Sequence, residues 1–211
     1  MAFTADLHLH SRYACACSKN LTLANMALWA KAKGIELLST ADFTHLAWLS
    51  ELEKNLTPTK DGDFEFEGVR FVLEAEISCV YKQGRRARRV HLLVYVPTFE
   101  VVHRIRQDLE KLGSNLNRDG RPPGGASARE LTARLLDIDD ACMVVSAHIW
   151  PPWYGLLGSK SGFHSFGECF GDMAPRFSRG DRPVQRSGDE LRCTRSFGKD
   201  YRVVFGRPFV A

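Results

Sequence analysis

The segment Asp6-Leu7-His8-Leu9-His10 ends a short apolar run and constrains this chain more than any other feature. Side chains alternate between the two faces of a β-strand, so a strand over residues 3–9 points His8 and His10 to one side, with Asp6 behind them. Imidazole is the commonest protein ligand for zinc-like ions, and two such rings on one strand form a metal clamp. Because a lone His-x-His motif is weakly specific, two solvated histidines are the alternative.

Length and composition predict a globular protein with one domain, or one domain with an appendage. The chain has 211 residues, 44% of them hydrophobic, and a formal net charge of +4, which alone does not indicate a nucleic-acid partner. No apolar stretch approaches the length of a membrane span, and no signal peptide opens the chain. We therefore expect a cytoplasmic protein with no membrane partner, whose six cysteines are reduced thiols.

Apolar spacing predicts alternating strands and helices along the first 150 residues. Gly34 is a typical helix end, and Ser127 with Glu130 forms a capping box at a helix start. The predicted strands span 3–9, 35–40, 69–81, 89–96 and 143–147, and the predicted helices span 22–33, 46–55, 100–112 and 127–136. This alternation predicts an α/β fold with a mostly parallel sheet.

Polar residues capable of binding metal fall at or near the ends of several predicted strands. They are Asp42, His45, Glu76, His91 and His148. In parallel sheets, residues just past the strand ends form the functional site, so we expect these side chains to meet His8 and His10. Nitrogen and carboxylate ligands without a cysteine pattern favour a hydrolytic zinc, manganese or iron site.

These motifs resemble the polymerase and histidinol phosphatase (PHP) family of metal-dependent phosphoesterases. That family has His-x-His on its first strand, Thr-Asp-His after the second, then a Glu, a His, a further His and finally Asp-x-His. The counterparts here are Asp6–His10, Thr40-Ala41-Asp42, Glu76, His91 and Ala147-His148. Asp42 departs from this pattern, because the family usually has a histidine ligand at its position.

Within this family the chain is most similar to endonuclease Q and its bacterial helicase-like relatives, over about residues 1–175. The stretches that carry the similarity are residues 8–13, 17–20, 40–45, 119–122, 147–153 and 158–163. The resemblance implies a distorted TIM-like barrel of parallel strands, incomplete at the C-terminus of this chain. It further implies a cluster of divalent ions (zinc, manganese or iron, or magnesium) on His8, His10, Asp42, Glu76, His91 and His148.

The function implied by the resemblance is an endonuclease that nicks DNA beside deaminated bases or abasic sites. In such a reaction metal ions activate water and stabilise charge on the leaving oxygen, and the damaged base turns out of the stack. Two alternatives remain: a small-molecule phosphoesterase of the histidinol phosphatase type, and a catalytically dead nucleic-acid-binding module. The sequence determines neither the metal, the lesion nor the oligomeric state.

Two groups of residues are candidate DNA contacts. Basic and aromatic side chains bind phosphates and stack on bases, respectively. The candidates are Arg85, Arg86, Arg88, Arg89, Trp150, Trp153 and Lys160. A solvated hairpin tip is the alternative for the arginines, and aromatic packing beneath a loop is the alternative for the tryptophans.

Residues 176–211 depart from the family pattern. This segment is rich in arginine, has no helical or strand period and contains no histidine, so the final Asp-x-His is missing. A one-nucleotide frame shift lets the codons of 179–191 and 203–210 encode segments similar to the family's next ones, including Asp-x-His. We therefore expect a PHP-like domain over 1–175, a frameshifted, disordered basic tail over 176–211, and impaired activity. A natural basic tail that binds nucleic acid is the alternative.

Overall fold

A computed structural model describes residues 3–174, 190–193 and 201–204. Its strands are β1 (Ala5–Asp6), β2 (Leu37–Ser39), β3 (Thr57–Pro58), β4 (Phe64–Phe66), β5 (Val69–Gln83), β6 (Arg86–Val96), β7 (Pro123–Gly124), β8 (Met143–Ser146), β9 (Glu190–Cys193) and β10 (Tyr201–Val204). Its helices are α1 (Leu23–Lys33), α2 (Leu46–Asn55), α3 (Phe99–Lys111), α4 (Ala128–Ile138) and α5 (Phe166–Phe170), followed by a 3₁₀ turn over Gly171–Met173.

Side-chain caps fix where α1, α3 and α4 begin. Thr22 and Thr98 accept hydrogen bonds from the backbone N–H of Asn25 and Val101, and Ser127 accepts one from Glu130, as its capping-box sequence predicts. Gly34 ends α1 in the left-handed conformation at φ 68°, which glycine adopts without the strain of a Cβ. Helices α1 to α4 therefore begin and end within two residues of their predicted limits, whereas α5 was not predicted.

The sheet is mixed rather than mostly parallel, which corrects the predicted strand directions. β1 pairs with β2, β2 with β5 and β7 with β5 in parallel, whereas β5–β6, β6–β8, β4–β5 and β3–β4 are antiparallel. Only Gly84 and Arg85 separate β5 from β6, and a two-residue connection can join only antiparallel neighbours. The described strands form an open sheet with β3 at one end of its main path, so they do not close a barrel.

Period-two alternation gives the central hairpin two different faces. Leu73, Ala75 and Ile77 of β5 belong to the large core that includes buried residues of all five helices, as do Val90 and Leu92 of β6. The intervening residues lie on the opposite face. They are Val72, Glu74 and Glu76 of β5 and His91, Leu93 and Tyr95 of β6. The candidate site therefore lies on the sheet face opposite the main helical core.

The segment 176–211 lies largely outside the described residues. Its described part is β9 paired antiparallel with β10, and the expected domain limit at residue 175 is not among the described residues. Cys15, Cys17, Cys79, Cys142 and Cys169 are free thiols. Within the described residues, no helix has the length and hydropathy needed to cross a bilayer.

Candidate metal centre

Five of the six predicted metal ligands lie together, with four histidines around the carboxylate of Glu76. Glu76 lies within β5, His91 lies in the neighbouring strand β6, and His148 follows β8 on the other side of β6. His8 and His10 follow β1 at the other side of the sheet, with ring centroids 5.5 Å apart. His148 lies just past β8, where the sequence predicts it, whereas His8 and His10 follow the two-residue β1 instead of lying on a strand over 3–9. Glu76 and His91 instead lie inside long strands, because the hairpin extends beyond them.

The carboxylate of Glu76 lies among four imidazoles. Its Oε1 is 2.7 Å from His91 Nδ1, 3.5 Å from His148 Nε2 and 3.7 Å from His8 Nε2. Its Oε2 is 3.3 Å from His10 Nε2. Glu76 is 1% exposed, so these rings rather than solvent surround its oxygens.

These positions form two groups of potential ligand atoms that share Glu76. One group is His8, His10 and Glu76; the other is Glu76, His91 and His148. Among the described residues neither oxygen of Glu76 has a partner in hydrogen-bond geometry, and neither does Nε2 of His8. Buried polar atoms are rarely left without partners, so this donor set fits divalent metal ions.

The electrostatics favour unprotonated ligands, which metal binding requires. Burial alone would raise the pKa of Glu76, but the imidazoles of His8 and His91 outweigh it and hold that pKa well below its usual range. Burial lowers the pKa of His148 to about 4, although the neighbouring charge of Glu76 opposes this shift. His148 is therefore neutral at physiological pH, with a ring nitrogen lone pair available to a metal.

The sixth predicted ligand, Asp42, belongs to neither group. Its Oδ1 lies 3.2 Å from Nδ1 of His10, the ring nitrogen that faces away from Glu76. Its Oδ2 accepts hydrogen bonds from Ser11 N at 2.6 Å and Ser11 Oγ at 2.7 Å. His45 is also outside both groups and stacks on Tyr13 with ring centroids 4.3 Å apart.

A second carboxylate near Glu76, that of Glu74, is not among the residues predicted from the sequence. Glu74 occupies the same face of β5 two residues earlier and is fully buried. Neither of its carboxylate oxygens has a hydrogen-bond partner among the described residues. Burial, followed by the nearby charge of Asp42, raises the pKa of Glu74 well above its ordinary value. The strand period that places Glu76 in the site also indicates Glu74.

The predicted DNA contacts divide by exposure. Arg85 and Arg86 at the hairpin tip are exposed, as is Lys160. Trp150 and Trp153 are 60% and 53% exposed, and the guanidinium of Arg89 lies 5.3 Å from the ring centroid of Trp153.

Arg88 differs from its neighbours because it is buried. Its guanidinium hydrogen-bonds to Gly162 O, donates to Glu168 Oε1 at 2.6 Å and lies 4.1 Å from the ring centroid of Phe163. These contacts engage the guanidinium of Arg88 in the protein interior, so it is not available to a DNA phosphate.

The loop that carries Trp150 and Trp153 is fixed to β6 beside the candidate metal ligands. Arg89 N donates to Ser161 O at 3.2 Å, and His91 N donates to Tyr154 O at 3.1 Å. The ring of Tyr154 packs against His91, with centroids 4.3 Å apart. Tyr154 therefore packs within the site rather than presenting a free stacking face.

A cavity of about 790 Å³ opens beside His10. Leu9, Met26 and Leu38 contribute apolar surface, and Asn20 and Asn25 contribute polar atoms. No Lys, Arg, Asp or Glu side chain is among the described residues that line it. The cavity therefore suits an uncharged group located next to the candidate metal centre.

The fold is similar to part of solved endonuclease structures. The lesion-specific endonuclease PfuEndoQ from Pyrococcus furiosus matches with a TM-score of 0.71 and 34% identity over 82% of this chain. Endonuclease Q in complex with a 27-mer duplex bearing an abasic lesion at the active site matches with the same TM-score, identity and coverage. The match covers 40% of each of those chains.

A curated relative also matches. It is an uncharacterized protein of Methanocaldococcus jannaschii, 27% identical over 152 residues, which are 72% of this chain and 17% of that protein. The sequence matches no family model. These comparisons relate this chain to a part of endonuclease Q and of a longer relative.

Proposed function

We propose that this chain carries the metal centre of a phosphodiesterase of the PHP type. The observation that carries the proposal is the convergence of His8, His10, His91 and His148 on the buried carboxylate of Glu76. Divalent ions bound there, whether zinc, manganese, iron or magnesium, would supply Lewis-acid stabilisation of developing charge and activation of water. The protein's own contribution is a set of four imidazoles around one shared carboxylate.

We propose damaged DNA as the substrate, with nicking beside deaminated bases or abasic sites. The similarity to endonuclease Q supports this, as does a basic and aromatic surface beside the candidate ligands. Arg85, Arg86 and Lys160 would contact phosphates, while Trp150 and Trp153 would stack on bases or sugars. The uncharged cavity beside His10 is where we place a base turned out of the duplex.

We also propose that the described sheet is part of a distorted PHP-type barrel over residues 1–175, with 176–211 as a separate basic tail. The described strands leave the sheet open, and no histidine follows His164 in the sequence. A late Asp-x-His pair would add ligands to the two groups observed here. Without it we expect metal binding with nicking weaker than that of endonuclease Q, because incomplete coordination spoils the geometry of the reacting groups.

The test is a nicking assay on matched duplexes with manganese, zinc or magnesium added. Labelled duplexes containing uracil, hypoxanthine or an abasic site are compared with an undamaged duplex, and Glu76→Gln is the inactive control. We expect slow nicking of the damaged duplexes only, abolished in Glu76→Gln. Turnover of p-nitrophenyl phosphate without nicking would favour the small-molecule phosphoesterase. Retention of damaged DNA with neither activity would favour the binding module.

A further inference from the structure

The two ring nitrogens of His10 face two different carboxylates. Nε2 lies 3.3 Å from Glu76 Oε2, on the side of the candidate metal centre. Nδ1 lies 3.2 Å from Asp42 Oδ1, on the side of the protein interior. Of these two contacts only the one at Nδ1 has hydrogen-bond geometry, since the oxygens of Glu76 have no hydrogen-bond partner among the described residues, so it favours the tautomer with its proton on Nδ1. That tautomer leaves the lone pair of Nε2 directed toward Glu76.

Two hydrogen bonds from Ser11 hold one carboxylate oxygen of Asp42. Ser11 donates both its backbone N–H and its hydroxyl to Oδ2, so Oδ1 is left for His10. The side chain is fully buried, which excludes water as a competing donor. A hydrogen-bonded carboxylate behind a histidine ring commonly fixes the ring orientation in metal sites and raises its basicity.

The backbone around Asp42 is unusual and is stabilised by neighbouring groups. Ala41 and Asp42 have φ values of 58° and 42°, a region that non-glycine residues seldom adopt. Trp48 Nε1 lies 2.9 Å from both carbonyl oxygens of the preceding turn, those of Thr40 and Ala41, and donates to them. Such backbone strain persists only where surrounding contacts determine the conformation.

Gly120 supplies the remaining constraint. A Cβ at this position would lie 2.5 Å from Cγ of Asp42, closer than real Cβ contacts allow. Two hydrogen bonds hold the backbone of Gly120 in place, so it cannot easily shift away from Asp42. Gly120 N donates to Tyr13 O at 3.1 Å, and Gly120 O accepts from Thr44 Oγ1 at 3.2 Å. The absent side chain therefore leaves the space that Asp42 occupies.

We propose that Asp42 is a positioning residue rather than a metal ligand: it fixes the tautomer and orientation of His10, and Ser11 and Gly120 fix Asp42. The assignment rests on the proposed metal centre for its effect on affinity. It predicts that two substitutions of different chemistry, one removing the carboxylate charge and one displacing it, weaken metal binding in the same way.

The first measurement is zinc and manganese affinity by isothermal titration calorimetry on the full chain. Asp42→Asn and Gly120→Ala should each bind about 10- to 100-fold more weakly than the parent protein, the usual effect of losing an outer partner of a metal ligand. Gly125→Ala is the matched glycine control, because a Cβ there meets no atom within 4 Å. Thermal melts of the metal-free variants identify any loss of folding.

The second measurement reads the proton position directly, without metal. Nitrogen-15 NMR of histidine-labelled protein should show His10 protonated at Nδ1 in the parent protein and in Gly125→Ala. In Asp42→Asn the proton should redistribute toward Nε2, which a purely structural role for Asp42 would not cause.

The two measurements separate the two proposals. Failure of the parent protein to bind either metal would refute the metal centre, and the tautomer would still decide the role of Asp42. Normal affinity in Asp42→Asn with an unchanged His10 tautomer would overturn the positioning role while leaving the metal centre intact.

Discussion

His91 Nδ1 lies 2.7 Å from Glu76 Oε1, although the two residues are not register partners in the β5–β6 hairpin. Glu76 pairs with Leu93 and His91 pairs with Ser78, so the contact is a diagonal one on a single sheet face. The rigid hairpin sets this distance, and the segments that follow β1 and β8 bring the other histidines to it. Small changes in the loops therefore should not separate Glu76 from His91.

Replacement of Trp153 by Ala should weaken DNA binding. The ring is half exposed and contacts the guanidinium of Arg89, and loss of one stacked base typically costs about 1–3 kcal/mol. Fluorescence anisotropy with an abasic duplex measures the change. Leu28→Ala, which removes an exposed apolar side chain from α1, is the control, and equal affinities for the two variants would contradict the proposed surface.

Arg86 and Arg88 lie two residues apart on β6, and their replacement by Met should affect different properties of the protein. Arg88→Met removes a buried guanidinium that bonds Gly162 and Glu168, with an expected cost of about 1.5–3 kcal/mol. For a chain of this size, each kcal/mol lowers Tm by about 2–4 °C. Arg86→Met should leave Tm unchanged and reduce the salt dependence of DNA binding by about one phosphate contact. Denaturation scans and salt titrations would contradict this assignment if the two variants behaved alike.

Glu74 should destabilise the metal-free protein as pH rises. Burial raises its folded-state pKa, so between the unfolded value near 4.5 and that raised pKa the folded state binds more protons. The free energy of unfolding therefore falls with increasing pH in this range. Glu74→Gln should raise Tm at pH 7–8 and remove this part of the pH dependence, whereas Glu65→Gln, an exposed carboxylate on β4, should change little. A lower Tm for Glu74→Gln at pH 8 would argue against a raised pKa for this buried carboxyl.

His148 should have the opposite effect at acidic pH. Burial lowers its pKa from 6.5 to about 4, so within this interval the unfolded chain binds a proton that the folded chain does not. The free energy of unfolding should therefore fall as the pH decreases from 6.5 to 4. Replacement by Asn should flatten the curve of Tm against pH over this interval. An unchanged curve would show that His148 titrates normally in the folded protein.

Local sequence patterns predicted the helices well because their signals are local. Thr22 and Ser127 cap helices that begin where expected, and Gly34 ends α1. The antiparallel direction of β6 could also have been predicted from the sequence, since a two-residue turn at Gly84 and Arg85 permits only an antiparallel hairpin. Assigning a parallel sheet from strand–helix alternation overlooked that turn.

The candidate site was predicted only in part, because some of its contacts follow from local patterns and others join distant segments of the chain. Period two along β6 places Arg88 in phase with the buried Val90, but Arg86 has the same phase and is exposed, so the period alone does not separate the two arginines. The same period places Glu74 beside Glu76. In contrast, the contact of Asp42 with His10 and its dependence on Gly120 join segments far apart in the chain, and only the folded structure reveals them.

Metal stoichiometry tests the central claim most directly. Equilibrium dialysis against zinc or manganese, with metal and protein quantified in the same sample, should give two equivalents per chain for the parent protein. Glu76→Gln should lose both, because both ligand groups share that carboxylate, while His103→Ala, a surface histidine paired with Glu53, should retain both. Absence of bound metal in the parent protein, or undiminished binding in Glu76→Gln, would contradict the account.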